Sequence, residues 1–347
     1  MMRWRLKLSM PEHLDYTSIA PVPEGMHRPY WSVMIPTYNC ANYLAQTLKS
    51  VLEQDPGPEE MQIAVIDDCS LKDDPEAVVK EIGKGRISFF RQPQNCGAIR
   101  NFNTCIERSV GQIVHILHGD DFVLPTFYKK MKSVLTQHPD CGMAVSSCIM
   151  VDALSLEIGT LEALSASSRV LKQYHLKMNT QNTIRTPTVA VRRAVYEHLG
   201  GFDLRLPHAA DWEMWLRICA NSSIWYEHDV LAAYRSHPNS DTSRFRISGA
   251  YIDENRKTIE IAVKGLPIPN PEEFKNTALF AFAKSALTDG NYRAGAGDIG
   301  GAIRMVSKAA QCSPTTQTFW SGFRIMAKAA KYRYFSKTKN LHTQTYM

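Results

Sequence analysis

Two pairs of adjacent aspartates, Asp67-Asp68 and Asp120-Asp121, each follow a short apolar run, Ile63-Ala64-Val65-Ile66 and Ile113-Val114-His115-Ile116-Leu117. β-Branched residues dominate both runs, so each reads as a strand that ends abruptly in acid. In an open α/β sheet the carboxyl ends of the strands are where ligands bind. An aspartate after a strand can equally serve its own turn by accepting from nearby backbone N–H groups. Adjacent carboxylates repel each other, however, and a hard divalent cation on Asp120-Asp121 would relieve the conflict. Two acidic edges facing one crevice suit an anion carried on such a cation, for example a sugar nucleotide.

Three further segments carry chemistry. Asn95-Cys96-Gly97-Ala98-Ile99-Arg100-Asn101 joins a short strand to a helix, where backbone N–H groups and Arg100 would receive phosphate. Asp211 opens a Trp-rich helix, either as its N-cap or as a rigidly held general base, and the two roles are compatible. Tyr234-Arg235-Ser236-His237 closes an apolar run; a lone loop histidine such as His237 is most often only a surface residue. Gly295 to Gly300 matches G-x-G-x-x-G, but it follows a helix and lacks an acid about 20 positions on, so it is rejected as a dinucleotide fingerprint.

Alternating elements must position these residues. Ser32-Val33-Met34-Ile35 is a strand closed by Pro36, and Asn42 caps a helix carrying Leu44, Leu48, Val51 and Leu52 at helical spacing. A helix opened by Asp74-Pro75, a strand at Ile87-Phe90, a helix from Gly97 to Arg108 and a helix after Pro125 continue the pattern of a parallel sheet with helices on both faces. A strand at Gly142-Val145 follows, then weakly periodic residues 155–185, read as a loop region over the site. Thr188-Val191 is a strand, Arg193-Leu199 a helix ended by Gly200-Gly201, and Asp211-Cys219 an amphipathic helix. After the proline cluster Pro267, Pro269 and Pro271 come two helices, Phe274-Leu287 and Ala302-Cys312, joined by Asp289-Gly290-Asn291.

At 347 residues, 44% hydrophobic and 21% charged, the chain is a globular protein with a sizeable core. A formal net charge of +6 is too mild to argue for nucleic acid. The eight cysteines form no C-x-x-C pair, which excludes the usual zinc spacing and points to a reducing compartment. The N-terminal residues make a poor signal peptide and no run reaches the roughly 18 apolar residues of a membrane span. The expectation is therefore a cytoplasmic protein. A tail mixing Trp320, Phe323, Tyr334 and Phe335 with Arg324, Lys328, Lys331, Arg333, Lys337 and Lys339 is either a core-packed helix with a solvated basic face or a helix that docks on the inner face of a membrane.

Taken in order, Val33-Met34-Ile35-Pro36-Thr37-Tyr38-Asn39, Ile66-Asp67-Asp68-Cys69-Ser70, Asn95-Cys96-Gly97-Ala98 with Arg100-Asn101, His118-Gly119-Asp120-Asp121, Ala210-Asp211-Trp212 and Tyr234-Arg235-Ser236-His237 resemble the inverting family 2 glycosyltransferases. The resemblance covers residues 32–243. It implies an α/β GT-A fold, a mostly parallel sheet flanked by helices, with a C-terminal helical extension. The expected organisation is an irregular leader over 1–29, a transferase domain over 30–245 (nucleotide half 30–121, acceptor half 122–245) and a basic helical extension over 250–347.

By the same resemblance Thr37, Tyr38, Asp68 and Arg100 contact the nucleoside and diphosphate, with Asp67 beside them and Pro36, Asn95, Gly97 and Gly119 in the same site. Asp120 is the metal-binding second acid of the D-x-D motif, His237 a further metal ligand, and Asp211 the catalytic base. The first acid of D-x-D is His118 here, and the glutamate often found before the base is Ala210. The implied activity is metal-dependent transfer, on Mn²⁺ or Mg²⁺, of one sugar from a nucleoside diphosphate sugar, a UDP-sugar by preference, to a glycan or lipid-linked acceptor in cell-surface glycan or polysaccharide synthesis. The Gln-x-x-Arg-Trp signature of processive synthases is absent. The competing readings are a non-catalytic relative that binds a nucleotide or glycan, and a nucleotidyltransferase, which would need a Gly-rich loop where Thr37-Tyr38-Asn39-Cys40 stands.

Overall fold

The computed structural model describes residues 16–344, and side chains as far as Lys331. Residues 1–15 of the leader, and the side chains of Arg333, Tyr334, Phe335, Lys337 and Lys339, lie outside the described set. The chain divides into two compact units. One runs through Met178 and adds Asn182–Pro238 and Gly265–Pro267; the other holds Asn179–Gln181, Asn239–Lys264 and the residues from Ile268 onward.

In the first unit strands and helices follow as β1 (Trp31–Thr37), α1 (Ala41–Leu52), β2 (Met61–Asp67), α2 (Pro75–Gly83), β3 (Ser88–Arg91), α3 (Ala98–Arg108), β4 (Ile113–Ile116), β5 (Phe122–Val123), α4 (Phe127–Gln137), β6 (Cys141–Val151), β7 (Glu157–Thr160), β8 (Arg169–Leu171), β9 (Val189–Arg192), α5 (Arg193–Leu199), α6 (Ala210–Asn221) and β10 (Ser223–Arg235). They build a ten-stranded sheet of order β3-β2-β1-β4-β9-β6-β10-β5, with β7 on β6 and β8 on β10. β3, β2, β1 and β4 are parallel, as a βαβ pattern requires. β9 runs antiparallel between β4 and β6, and β5 antiparallel on β10.

Alternate residues Trp31, Val33 and Ile35 of β1 join Leu44, Leu48 and Val51 of α1 in one buried cluster. Each such side chain contributes about 1.5–3 kcal/mol relative to exposure, so this face fixes α1 beneath the strand ends. Gly111 admits no side chain here, since a Cβ would lie 2.6 Å from Ser32 N.

Several expectations are corrected. Pro36 does not close β1, which continues to Thr37. Its carbonyl accepts from Gly119 N at 3.0 Å. In extended chain a residue's nitrogen and carbonyl point the same way, so Pro36 N faces the side where β4 has already ended and no ladder bond is forfeited. Asn42 is not the cap of α1; the Asp73 carboxylate accepts from Ala41 N at 2.8 Å and takes that place. Residues 155–185 are not simply loop, because β7, β8 and a 3₁₀ turn at Tyr174–Lys177 form there, with Tyr174, His175 and Met178 buried. Nor is the leader wholly loose. Ile19 is buried, Thr17 O accepts from Gly201 N, Tyr16 Oη donates to Glu213, and Arg193 donates to Ala20 O.

The second unit is helical: α7 (Asp241–Ser248), α8 (Tyr251–Gly265), α9 (Pro271–Gly295), α10 (Ile299–Cys312) and α11 (Thr316–Gln344). Gly290 does not separate two helices but lies inside α9. A Cβ there would stand 3.2 Å from Met305 Cβ, so glycine lets α10 approach closely. The break falls instead at Gly297, φ +82°, after which Asp298 caps α10 by accepting from Gly301 N at 2.8 Å. The G-x-G-x-x-G segment thus joins two helices. Ala294, Ala302, Ile325 and Ala329 form the shared core of α9, α10 and α11. Among the described residues no helix is long and apolar enough to cross a membrane, and all eight cysteines are free thiols.

Candidate active site

The parallel register sets Thr37 beside Asp67 at the carboxyl edge. Asp67 is fully buried and accepts from Ser70 N, Ser70 Oγ and, at 2.8 Å, from Arg91 Nε. Asp68 is buried as well. It accepts from Cys96 N at 2.8 Å, Gly97 N at 2.9 Å and Asn95 Nδ2 at 2.9 Å. The N–H groups of Cys96 and Gly97 expected to receive phosphate are therefore held by Asp68, which fixes the loop ahead of α3. Arg100, Asn95 and Gly97 remain exposed beside it, and Tyr38 presents its ring to solvent. Asn39, at φ +50°, turns the chain after β1 and accepts from Leu71 N and Lys72 N, tying the two strand ends together.

The second acidic edge meets the first through a glycine. A Cβ on Gly119 would stand 3.0 Å from Cys40 Sγ and 3.1 Å from Thr37 Oγ1, so only glycine lets this loop lie against the end of β1. Burial and the neighbouring Asp120 charge push the Cys40 thiol up to about 12, leaving it protonated. The two aspartates then diverge. Asp121 turns inward and its Oδ1 accepts from Arg235 N at 2.8 Å, while Oδ2 has no hydrogen-bond partner among the described residues. Burial and repulsion from Asp120 raise its carboxyl well above the usual range. Asp120 turns toward His237, whose Nε2 lies 3.0 Å from its Oδ2. Burial works against its ionisation, but the His237 bond and the His118 and His237 charges outweigh this and hold Asp120 low.

His237 is accordingly not a plain surface residue: it is 8% exposed and packs on the Tyr43 ring. Arg235 anchors the arrangement. Its guanidinium donates to Asp120 O, Asp152 O, Ser155 Oγ and Gln46 Oε1, so one buried cation ties the acidic loop to α1 and to the turn after β6.

A divalent cation fits this donor set. Asp120 and His237 each offer a lone pair in place of the hydrogen bond they share, and ligand atoms of His118, Asp120 and Asp121 lie within 4.8 Å of one another. Asp121 Oδ2, 3.6 Å from His118 Nδ1, and His118 Nε2 have no hydrogen bond among the described residues and are buried polar atoms of the kind an ion satisfies. His118 stacks on Phe102, which holds its ring beside the acids.

Asp211 lies one residue inside α6 rather than at its cap, which is Ala209. Its Oδ1 accepts from Trp212 N at 2.7 Å and its Oδ2 from Asn182 Nδ2 at 3.0 Å. Burial raises its pKa to about 6 against the opposing pull of Arg185 and these bonds. Arg185 also lowers the carboxyl of Asp121, so one guanidinium acts on both acids. Its Nη1 donates to Asn182 O at 2.7 Å, and it lines a small recess with Ser147, Thr183, Thr188 and Tyr226.

The chain thus gathers Thr37, Gly119, Asp120 and His237 at one strand edge, and Asp121 and Asp211 share Arg185. Asp67 and Asp68 are enclosed behind that edge. Sequence reasoning missed Asn182 and Arg185, which sit in a stretch without period, and the inward role of Arg235; the one available signal was the charge of Arg185 just before a strand.

Comparison with known proteins agrees with this architecture. The model of the family described as "Glycosyl transferase family 2" matches residues 32–200, from β1 to the residue after α5. An uncharacterized glycosyltransferase of Rickettsia typhi is 24% identical over 221 residues, 63% of this chain and 68% of that protein. Staphylococcus aureus TarS, solved with UDP-GlcNAc, superposes with a TM-score of 0.61 at 15% identity over 90% of this chain and 92% of that one. The mannosyltransferase PcManGT of Pyrobaculum calidifontis, solved with GDP-Man and Mn²⁺, superposes with a TM-score of 0.55 at 18% identity over 92% and 90%. With its GT-A sheet, its acidic strand edge and this family match, the chain carries a glycosyl transferase family 2 domain over residues 32–200 and is a glycosyltransferase.

Proposed function

We propose that this chain moves one sugar from a nucleoside diphosphate sugar, a UDP-sugar by preference, to a hydroxyl of a glycan or lipid-linked acceptor, with inversion, in the synthesis of a cell-surface glycan. The observation that carries the reading is the bonding that links the two acids through Arg185. Its Nη1 donates to Asn182 O, and Asn182 Nδ2 donates to Asp211. Its guanidinium stands 5.8 Å from the ring of Tyr234, next to Arg235, whose N–H donates to Asp121. This supports a cation-binding edge and a weakly basic carboxylate that face the same cleft. The nucleotide sugars bound to TarS and PcManGT support the donor class, and the Mn²⁺ of PcManGT supports the metal.

Inversion is a direct displacement at the anomeric carbon. Asp211 takes the proton of the acceptor hydroxyl on the face opposite the leaving group. Its partial burial keeps it basic, while Asn182 Nδ2 and Trp212 N fix both its oxygens. Tyr38, with its exposed ring, would stack on the base, and Arg100 would meet the diphosphate. Thr37 and Gly119 would line the floor of the donor site, and Pro36 its back. Asp120 and His237 would hold a divalent cation, which when bound would supply Lewis-acid neutralisation of the leaving diphosphate.

The test is to incubate the protein with a panel of UDP- and GDP-sugars and follow release of the nucleoside diphosphate, with and without Mn²⁺. Asp211→Asn should retain donor binding and lose turnover. Turnover at the wild-type rate in that variant would remove Asp211 from the mechanism, and wild-type failure to bind any nucleotide sugar would remove the donor class.

A further inference from the structure

We infer that the outer face of α11 docks this chain on an anionic lipid bilayer. The inner face of the helix is accounted for: Thr318, Ile325 and Ala329 are buried, and a Cβ on Gly322 would meet Val306 Cγ1 at 2.7 Å. Opposite that face, Phe319, Trp320 and Phe323 are 69%, 56% and 60% exposed. Their rings pack edge-on against one another, with centroids 6.1 and 6.0 Å apart. A single exposed aromatic needs no explanation, but three contiguous ones at helical spacing form a patch that usually has a partner.

Charge names the partner. At 100° per residue, Arg324 and Lys331 fall along one border of the aromatic stripe, and both are exposed. Lys328 lies on the same side, with its Nζ on Asn291. No aspartate or glutamate follows Asp298, and α11 holds six lysines and arginines. The rest of the chain is then balanced at 34 basic against 34 acidic residues, so the whole formal charge of +6 sits on this helix. Apolar rings bordered by cations on the exposed side of a helix fit the boundary between acyl chains and acidic headgroups. Single-stranded nucleic acid instead calls for a groove or sheet platform on which bases stack, and these rings stand on a rod. The inference is independent of sugar transfer, because none of these residues belongs to the candidate active site.

Flotation of the full chain with phosphatidylcholine vesicles, with and without phosphatidylglycerol, tests it. The wild type should float with the anionic vesicles only, less so as salt rises. Trp320→Ala with Phe323→Ala should weaken binding at least about tenfold, and Arg324→Gln or Lys331→Gln about fivefold each. Thermal midpoint and donor binding should not change in these variants, which separates docking from folding. Wild-type protein that stays unbound on anionic vesicles overturns the inference, as does equal flotation of the aromatic variant. So does an oligomer or a single-stranded RNA complex that the aromatic variant abolishes while vesicles never bind.

Discussion

At the scale of single residues, the proposed function rests on how environment divides five acids. Asp67 and Asp68 are enclosed by Arg91 and by the loop ahead of α3, Asp121 by Arg235, and only Asp120 and Asp211 keep an outlet. Asp211→Asn is expected to lower kcat by about 10²–10⁴-fold with little change in donor affinity. The proposed base would work only as a carboxylate, so turnover should fall as pH drops through about 6, in a profile of kcat against pH. Asn182→Ala removes a donor to the ionised form. It should therefore move that acid limb upward and lower kcat by roughly ten- to hundredfold. The paired acids were readable in the sequence because strand runs end in them. Their opposite orientations were not, since the partners that turn them come from β3, β10 and segments more than a hundred residues away.

At the scale of elements, period-2 and period-3.6 patterns made β1 through β4 and α4 legible, along with α5 and the body of α6, whereas the two-residue β5 was too short to show a period. The patterns failed where a distant contact decides the outcome: at Pro36, whose nitrogen faces no ladder, and at Gly290, where close packing on α10 keeps the helix continuous. The region of Asn182 and Arg185 carries no period because it is held by local bonds such as Asn182 Oδ1 accepting from Ile184 N. α6 itself is secured from behind by a buried pair, Arg217 with Glu213, both about 1% exposed and bonded at 2.8 and 3.0 Å. Glu213→Ala leaves that guanidinium uncompensated. A loss of about 3–5 kcal/mol is expected in guanidinium chloride unfolding, and a loss under 1 kcal/mol would show that the pair adds little.

At the scale of the whole molecule, ligand binding should be visible as stability. UDP with Mn²⁺ at 100 times its Kd should add about 2.7 kcal/mol, read as a higher thermal midpoint, and Asp120→Asn should abolish the Mn²⁺-dependent part. The segment from Tyr16 to Ala20 has a practical consequence of its own. Tyr16 lies 3.6 Å from the Arg217 guanidinium and donates to Glu213, and Ala20 caps Arg193. A protein trimmed to begin at the first strand would strip the cover from two buried cations and should express poorly, whereas one trimmed to begin just ahead of Tyr16 keeps that cover. Anyone shortening the chain for crystallisation should cut on the far side of that tyrosine.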